Sequence, residues 1–144
     1  MAYQAKRKKL YTEDFELTEE DGTVVHTLHV ALDPDNMAKK LSEKHTALVK
    51  ALQEVQGINA QKDPGAALET VGNAVTDILE AVFGADDTRV IVEFYNGHYM
   101  EMCTEVMPFV TATVIPAVRR IARENKKVVA AGYNRKQRRL FGKK

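Results

Sequence analysis

The chain has 144 residues, of which 44% are hydrophobic and 28% charged, and its formal net charge is +1. This length predicts one domain that buries a sufficient core without disulfide or metal cross-links. The single cysteine, Cys103, excludes an internal disulfide scaffold. The most apolar stretch, residues 109–118, is far shorter than the roughly 20 residues that cross a bilayer, and no apolar signal core is present. We therefore expect a cytoplasmic protein that does not enter a membrane.

The charges are distributed unevenly along the chain. Residues 1–9 carry four bases and no acid, residues 126–144 carry eight bases and no acid, and residues 10–125 hold nine bases against all twenty acids, a net charge of −11. This distribution predicts a basic N-terminal arm at 1–9, a single acidic domain at 10–125 and a basic C-terminal tail at 126–144. It is typical of a protein that binds other macromolecules rather than of an enzyme with a substrate pocket.

The first predicted element is a β-hairpin. Two β-prone runs, 10–17 and 23–32, are joined through Glu19-Glu20-Asp21-Gly22, and Asp-Gly supplies the positive-φ turn that hairpins favour. Alternate residues of a strand share a face, so Phe15 and Leu17 are expected to oppose an apolar row on the second strand. That row consists of Val24, Leu28, Val30 and Leu32. Because two strands alone are marginally stable, this face must pack on helices or on another chain.

Two helices are predicted next, and each begins with an Asp-Pro pair. Asp33-Pro34 and Asp63-Pro64 place a capping carboxylate before a proline, whose missing N–H suits the first helical position. The helices are predicted over residues 34–56 and 64–83, each stopping at a glycine. The second has a wide apolar face, which predicts the central core helix. Its expected buried residues are Leu68, Val71, Val75, Ile78, Leu79, Val82 and Phe83.

Residues 88–95 are compatible with a strand or a helix. Their β-branched and aromatic residues suit a strand, but the flanking helices and the preceding Asp86 and Asp87 favour a short helix. A longer helical region is predicted over 98–125, with kinks or a break at Pro108 and Pro116, because proline removes a backbone donor. The predicted fold class is α+β, mainly α: an N-terminal two-stranded antiparallel hairpin packed on a bundle of about four helices, with a basic C-terminal tail.

Catalytic patterns are missing from the sequence. It contains neither a phosphate-binding glycine loop nor a Gly-x-Ser-x-Gly nucleophile motif. Cys103 and His98 are five residues apart, so they do not share a helical face closely, and a lone cysteine of this kind is usually part of the core. We therefore expect a non-enzymatic protein without a cofactor.

One polar stripe has partial metal-ligand spacing. His98, Glu101 and Glu105 fall at i, i+3 and i+7, which aligns an imidazole and two carboxylates on one helical face. Carboxylate-bridged bundles require repeated Glu-x-x-His helices, and this chain has a single reversed match. A solvated polar face is the favoured interpretation, and no metal site is predicted.

The basic tail has two open interpretations. It interleaves cations with Tyr133 and Phe141, a combination able to bind phosphates and to stack on bases. Its candidate contact residues are Arg135, Lys136, Arg138 and Arg139. A solubilising or partner-binding tail is favoured over a nucleic-acid site, because the acidic body repels a duplex. The tail is also able to touch the protein's own acidic surface or that of a neighbouring subunit.

The order of the elements, together with Phe83-Gly84-Ala85-Asp86-Asp87 and Phe94-Tyr95-Asn96-Gly97-His98-Tyr99-Met100-Glu101, resembles small tail assembly chaperones of siphophages and prophages. The resemblance spans about residues 10–125. It implies a protein of the bacterial host's cytoplasm that coats hydrophobic helical stretches of the phage tape-measure protein until the tail tube polymerises. It also implies possible partners in the tail-tube protein and in further copies of the same chain.

A chaperone for amphipathic helices needs apolar grooves and adaptable side chains, which methionine supplies. The candidate partner-binding residues are Met100, Met102, Met107 and Phe109. The same methionines also fit the core, because helical spacing buries at least one of them.

Overall fold

The computed structural model describes residues 2–57 and 63–141, with side chains described as far as Asn134. The hairpin comprises β1 (Tyr11–Thr18) and β2 (Val24–Leu32). The helices are α1 (Pro34–Val55), α2 (Pro64–Phe83), α3 (Ala85–Phe94), α4 (Tyr99–Glu105), α5 (Met107–Phe109) and α6 (Ile115–Phe141), with a π-helical turn at Val110–Val114. The predicted class, a hairpin packed on a mainly helical bundle, is confirmed.

The hairpin forms as the sequence predicts. β1 and β2 pair antiparallel, with Phe15 opposite Leu28, and Gly22 in the turn has φ +89°. The row expected to face the helices is buried except at Val24, which is 46% exposed. That part of the prediction is wrong, because Val24 pairs beyond a register shift between Leu17 and Thr18, at the turn end of the hairpin.

Both Asp-Pro pairs start helices by the predicted capping contacts. An Asp33 carboxylate oxygen accepts a hydrogen bond from the Asp35 N–H at 3.1 Å, and Asp63 accepts one from the Ala66 N–H at 3.1 Å. These bonds satisfy backbone donors that a helix start otherwise leaves unpaired. The capping aspartates therefore determine where α1 and α2 begin.

The central position of α2 is confirmed by its packing against α1, α3, α4 and β2. Val71, Val75, Ile78 and Leu79 are fully buried there. Leu68 was expected on the same buried face, but it is 48% exposed. It lies in the first turns of α2, before the helix enters the core at Val71.

The ambiguous segment 88–95 is helical through Phe94, as the favoured interpretation predicted. The helix is interrupted at Val106, just before Pro108. A π-helical turn, in which the Ile115 N–H donates to the Val110 carbonyl, precedes Pro116. The segments Tyr99–Glu105 and Met107–Asn134 meet at 42°. The break predicted near Pro108 is therefore confirmed, and near Pro116 the irregularity takes the form of the π-helical turn that precedes the proline.

The last helix is longer than the sequence suggested. We expected the helical region to end near Asn125, but α6 continues without interruption to Phe141. Residues 126–131 contain neither glycine nor proline, so nothing in them stops a helix. Every side chain from Lys126 to Asn134 is exposed. The part of α6 that packs on the rest of the protein thus ends near Asn125, whereas the helix itself continues.

No single described helix has both the length and the apolar composition to cross a membrane. The bent pair Tyr99–Glu105 and Met107–Asn134 meets that test only when its two parts are taken together.

Candidate functional site

An apolar stripe of α6 continues past the end of the body. Val118 and Ala122 on this stripe are buried against the core, and the same face continues as Val129 and Tyr133, seven and eleven residues after Ala122. Val129 is 68% exposed and Tyr133 62% exposed. We call Val129, Ala130 and Tyr133 the free stripe.

The free stripe exists because α6 extends beyond the helix on which it packs. α1 begins at Pro34, and the Asn125 side-chain amide donates to an Asp35 carboxylate oxygen at 3.2 Å, so the start of α1 lies opposite Asn125. The sixteen residues of α6 after Asn125 extend about 24 Å at 1.5 Å per residue. Within the part of the chain that the structure describes, no helix lies opposite this segment.

The free stripe leads into a groove between α1 and α6. Two adjoining cavities of about 530 and 630 Å³ share Ala38, Lys39, Ala122 and Lys126 as lining residues. We call their combined surface the α1–α6 groove. Its floor is made of small or apolar side chains, namely Ala38, Ala122, Val129, Ala130 and Tyr133. Its rim is largely basic, with Lys8, Lys39, Arg119, Arg123 and Lys126.

Polar contacts fix the two walls of the groove relative to each other. The Arg119 guanidinium donates to the Ser42 hydroxyl oxygen at 2.7 and 3.1 Å, and Ser42 in turn donates to the Ala38 carbonyl at 3.0 Å. Asn125 and Asp35 make the second link, nearer the start of α1. The two links join α1 to α6 along the groove, whose floor includes the half-buried Ala38 and the exposed Ala130.

The methionines predicted to bind a partner are mostly in the core. Met102 and Met107 are buried, whereas Met100 is 46% exposed and lies outside the groove. Phe109 is half-buried, with its ring centroid 4.7 Å from that of Phe15. Core packing therefore accounts for Met102 and Met107, and the role of these four residues as partner contacts stays a prediction.

The predicted basic contact residues lie in the last turns of α6. The backbone of residues 135–141 is helical, but the side chains of Arg135, Lys136, Arg138 and Arg139 lie outside the described residues. Their contact role stays a prediction. The sequence patterns above did not predict the free stripe. Val129 and Tyr133 nevertheless follow Ala122 by seven and eleven residues, a spacing that places all three on one helical face.

A second concave surface lies at the turn end of the hairpin. Its cavity of about 640 Å³ has the half-buried rings of Phe15, Phe94 and Tyr95 in its lining. Five carboxylates surround them, from Glu16, Glu19, Glu20, Glu101 and Glu105. We call this surface the acidic cleft. Burial, followed by the charges of Glu105 and Glu101, raises the pKa of the Tyr95 hydroxyl.

The polar stripe of the sequence prediction is part of this cleft. His98, Glu101 and Glu105 all line it, and His98 Nδ1 lies 3.7 Å from Glu101 Oε2. Among the described residues, no three His, Cys, Asp or Glu side chains are placed to hold a metal ion.

Cys103 is half-buried next to this region on α4. Burial raises the pKa of its thiol, which keeps the thiol protonated and weakly nucleophilic near neutral pH.

Comparison with protein-family models, with curated proteins and with solved structures found no match to this chain.

Proposed function

We propose that this protein is a non-enzymatic tail assembly chaperone that binds hydrophobic helical segments of a phage tape-measure protein before tail-tube assembly. The observation that carries the proposal is the free stripe, an apolar helical face that continues the core of the protein into solvent. The resemblance of residues 10–125 to tail assembly chaperones supplies the class of client.

The groove suits a helix as its ligand. Helix-in-groove recognition places apolar residues of an amphipathic helix, spaced by three or four, along a hydrophobic channel. The small floor side chains of Ala38 and Ala130 let a second helix approach closely, since interhelical distance depends on the side chains at the contact. Fully burying a valine such as Val129 stabilises a contact by about 1.5–3 kcal/mol.

The basic rim restricts which helices fit. Lys39, Arg123 and Lys126 border the apolar floor, so a client helix with acidic residues beside its apolar face is favoured over a basic one. The client of the proposal is therefore an amphipathic segment with acidic edges. The protein would act in the cytoplasm of the bacterial host, where the tape-measure protein is made.

Co-expression with fragments of a tape-measure protein tests the proposal. The wild-type chain is expected to keep such fragments soluble and to co-purify with them, whereas Val129→Asp is expected to lose both effects because it places a carboxylate in the groove. Val128→Asp is the matched control: Val128 has the same 68% exposure but is not among the residues that line the groove. The proposal fails if fragments stay insoluble with the wild-type chain, or if both variants behave alike.

A nucleic-acid-binding accessory role is the second candidate. It is favoured by one observation, that the exposed ring of Tyr133 lies on the same free helical segment as Lys126 and Lys127. This function predicts binding that weakens steeply with salt and disappears when residues 126–144 are deleted. Unchanged binding after that deletion excludes it.

A further inference from the structure

We propose that the acidic cleft binds an arginine-rich segment of another protein, one in which arginines stand beside apolar side chains. The cleft and the α1–α6 groove have no lining residue in common. The inference therefore goes beyond the proposed chaperone function, because it concerns a second partner whose charge is opposite to that of the client helix.

The carboxylates of the cleft come from two parts of the chain. Three glutamates lie at the turn end of the hairpin, and Glu101 and Glu105 lie four residues apart on α4, on one helical face. The lining contains neither lysine nor arginine, and among the described residues only a histidine, His98, makes an ion pair with any of these five carboxylates. Complementary charge steers association and selects the partner, so the cleft favours a cationic ligand.

The aromatic rings of the cleft are held in place by their packing. The Phe15 ring packs on the rings of Phe83 and Phe109, with centroids 5.6 and 4.7 Å away. Phe94 and Tyr95 pack edge to face at 4.9 Å. The three rings that line the cleft are only half-buried, so part of each remains open to a ligand. A ligand thus meets apolar surface that is already ordered, which lowers the entropic cost of binding.

The combination of rings and carboxylates fits arginine better than lysine. A guanidinium stacks on an aromatic face while its N–H groups donate to carboxylate oxygens, whereas an ammonium is a compact, strongly hydrated charge. In the cleft, burial and then the charges of Glu105 and Glu101 raise the pKa of the Tyr95 hydroxyl, so this ring and these carboxylates lie near each other.

The size of the cleft indicates a segment rather than a single cation. Its cavity of about 640 Å³ is in the range of pockets that hold ligands much larger than one guanidinium. Several arginines are needed to meet carboxylates on both the hairpin and α4, and apolar side chains between them cover the rings. The matching ligand is therefore a stretch of chain that carries both kinds of residue.

The basic regions of the same molecule lie elsewhere. Residues 7–9 line a cavity together with Asn125, at the end of β1 opposite the cleft, and the eight residues of β1 separate its ends by about 26 Å. α6 follows the Phe109 ring, which packs on Phe15 of the cleft, and runs toward Asn125. The segment of α6 after Asn125 therefore leads away from the cleft, and another molecule supplies the occupant.

Fluorescence anisotropy of a labelled synthetic peptide with the full chain tests the inference. The probe is a short peptide of arginine, phenylalanine and glycine, with an arginine on each side of every phenylalanine. It is expected to bind saturably to one site per chain, and more weakly as salt rises, because salt screens exposed charges. The same peptide with lysine for arginine is expected to bind about threefold more weakly, and with glutamate not at all.

Variants of the cleft locate the site. Glu101→Gln/Glu105→Gln removes two exposed carboxylates and is expected to weaken binding by about tenfold or more. Tyr95→Leu keeps an apolar side chain but removes the ring, and is expected to weaken binding by about threefold. Glu69→Gln/Glu80→Gln is the matched control, because it makes the same change of charge at two exposed glutamates of α2 outside the cleft. It is expected to leave binding unchanged.

Three results with the peptides would overturn the inference: no saturable binding, equal binding of the arginine and glutamate peptides, or equal losses in the cleft and control variants. A fourth concerns the chain alone. If its average mass rises at low salt, the rise is abolished by Glu101→Gln/Glu105→Gln and no peptide binds, the cleft receives a second copy and the inference is wrong. None of these results affects client binding by the groove, which Val129→Asp tests separately in co-expression.

Discussion

The guanidinium of Arg119 on α6 donates two hydrogen bonds to the hydroxyl oxygen of Ser42 on α1, with its Nη2 and Nε atoms at 2.7 and 3.1 Å. These residues are 77 positions apart in the chain, and their contact crosses the α1–α6 groove. The pair therefore links the two helices that form the candidate binding surface.

Removing this link should loosen α6 from α1. Ser42→Ala is expected to lower the free energy of unfolding by about 0.5–1 kcal/mol, a small effect because the contact is exposed. Urea denaturation measures it. Thr46→Ala is the control, since the Thr46 hydroxyl bonds only to the Ser42 carbonyl within α1. Equal losses in the two variants would contradict a role for Ser42 between the helices.

The buried hydroxyl of Thr88 costs stability. Thr88 is 2% exposed, and its Oγ1 has no hydrogen-bond partner among the described residues. Thr88→Val keeps the shape and removes the unpaired hydroxyl, so it is expected to raise the free energy of unfolding by about 1 kcal/mol. Thr76→Val is the control, because Thr76 already donates to the Gly72 carbonyl at 2.8 Å. A loss of stability in Thr88→Val would show that the hydroxyl is satisfied.

Gly72 permits the close packing of α4 on α2. A Cβ at this position would lie 2.7 Å from Cε2 of Tyr99, well inside contact distance. Gly72→Ala is therefore expected to destabilise the protein by about 1 kcal/mol, despite the higher helix propensity of alanine. Gly132→Ala has open space around it, so circular dichroism should instead show equal or greater helix content. Stabilisation by Gly72→Ala would mean that Tyr99 moves aside freely.

How well each feature was predicted depends on whether its cause is local. The Asp33 and Asp63 caps and the Gly22 turn depend on neighbouring residues, so the sequence predicts them correctly. The exposure of Val129 depends on where α1 begins opposite α6, and the cleft joins Glu16 to Glu101 across the fold. Such tertiary placements do not follow from the spacing of apolar residues along the chain.

The ionisation of Tyr11 makes the free energy of unfolding depend on pH in the alkaline range. Burial, followed by its hydrogen bond to Glu13 at 3.0 Å, raises the pKa of its hydroxyl from 10.0 to about 12. The folded state therefore favours the neutral phenol, and this stabilisation is complete below pH 10 and is lost as pH rises to about 12.

Unfolding measurements across this pH range test the shift. Tyr11→Phe is expected to remove part of the decline in stability, and phenolate absorbance should lose its highest-titrating component. Tyr3→Phe changes an exposed tyrosine and is the control. An identical pH dependence in wild type and Tyr11→Phe would contradict the raised pKa.

Photo-crosslinking to a bound tape-measure fragment is the most direct test of the proposed chaperone. A photoreactive phenylalanine analogue replaces Tyr133 on the free stripe in one variant and Val128, which does not line the groove, in a second. The account predicts efficient crosslinks from position 133, into an amphipathic helical segment of the fragment, and few from position 128. A soluble complex with no crosslink from position 133, or with equal crosslinks from both positions, would contradict binding through the free stripe.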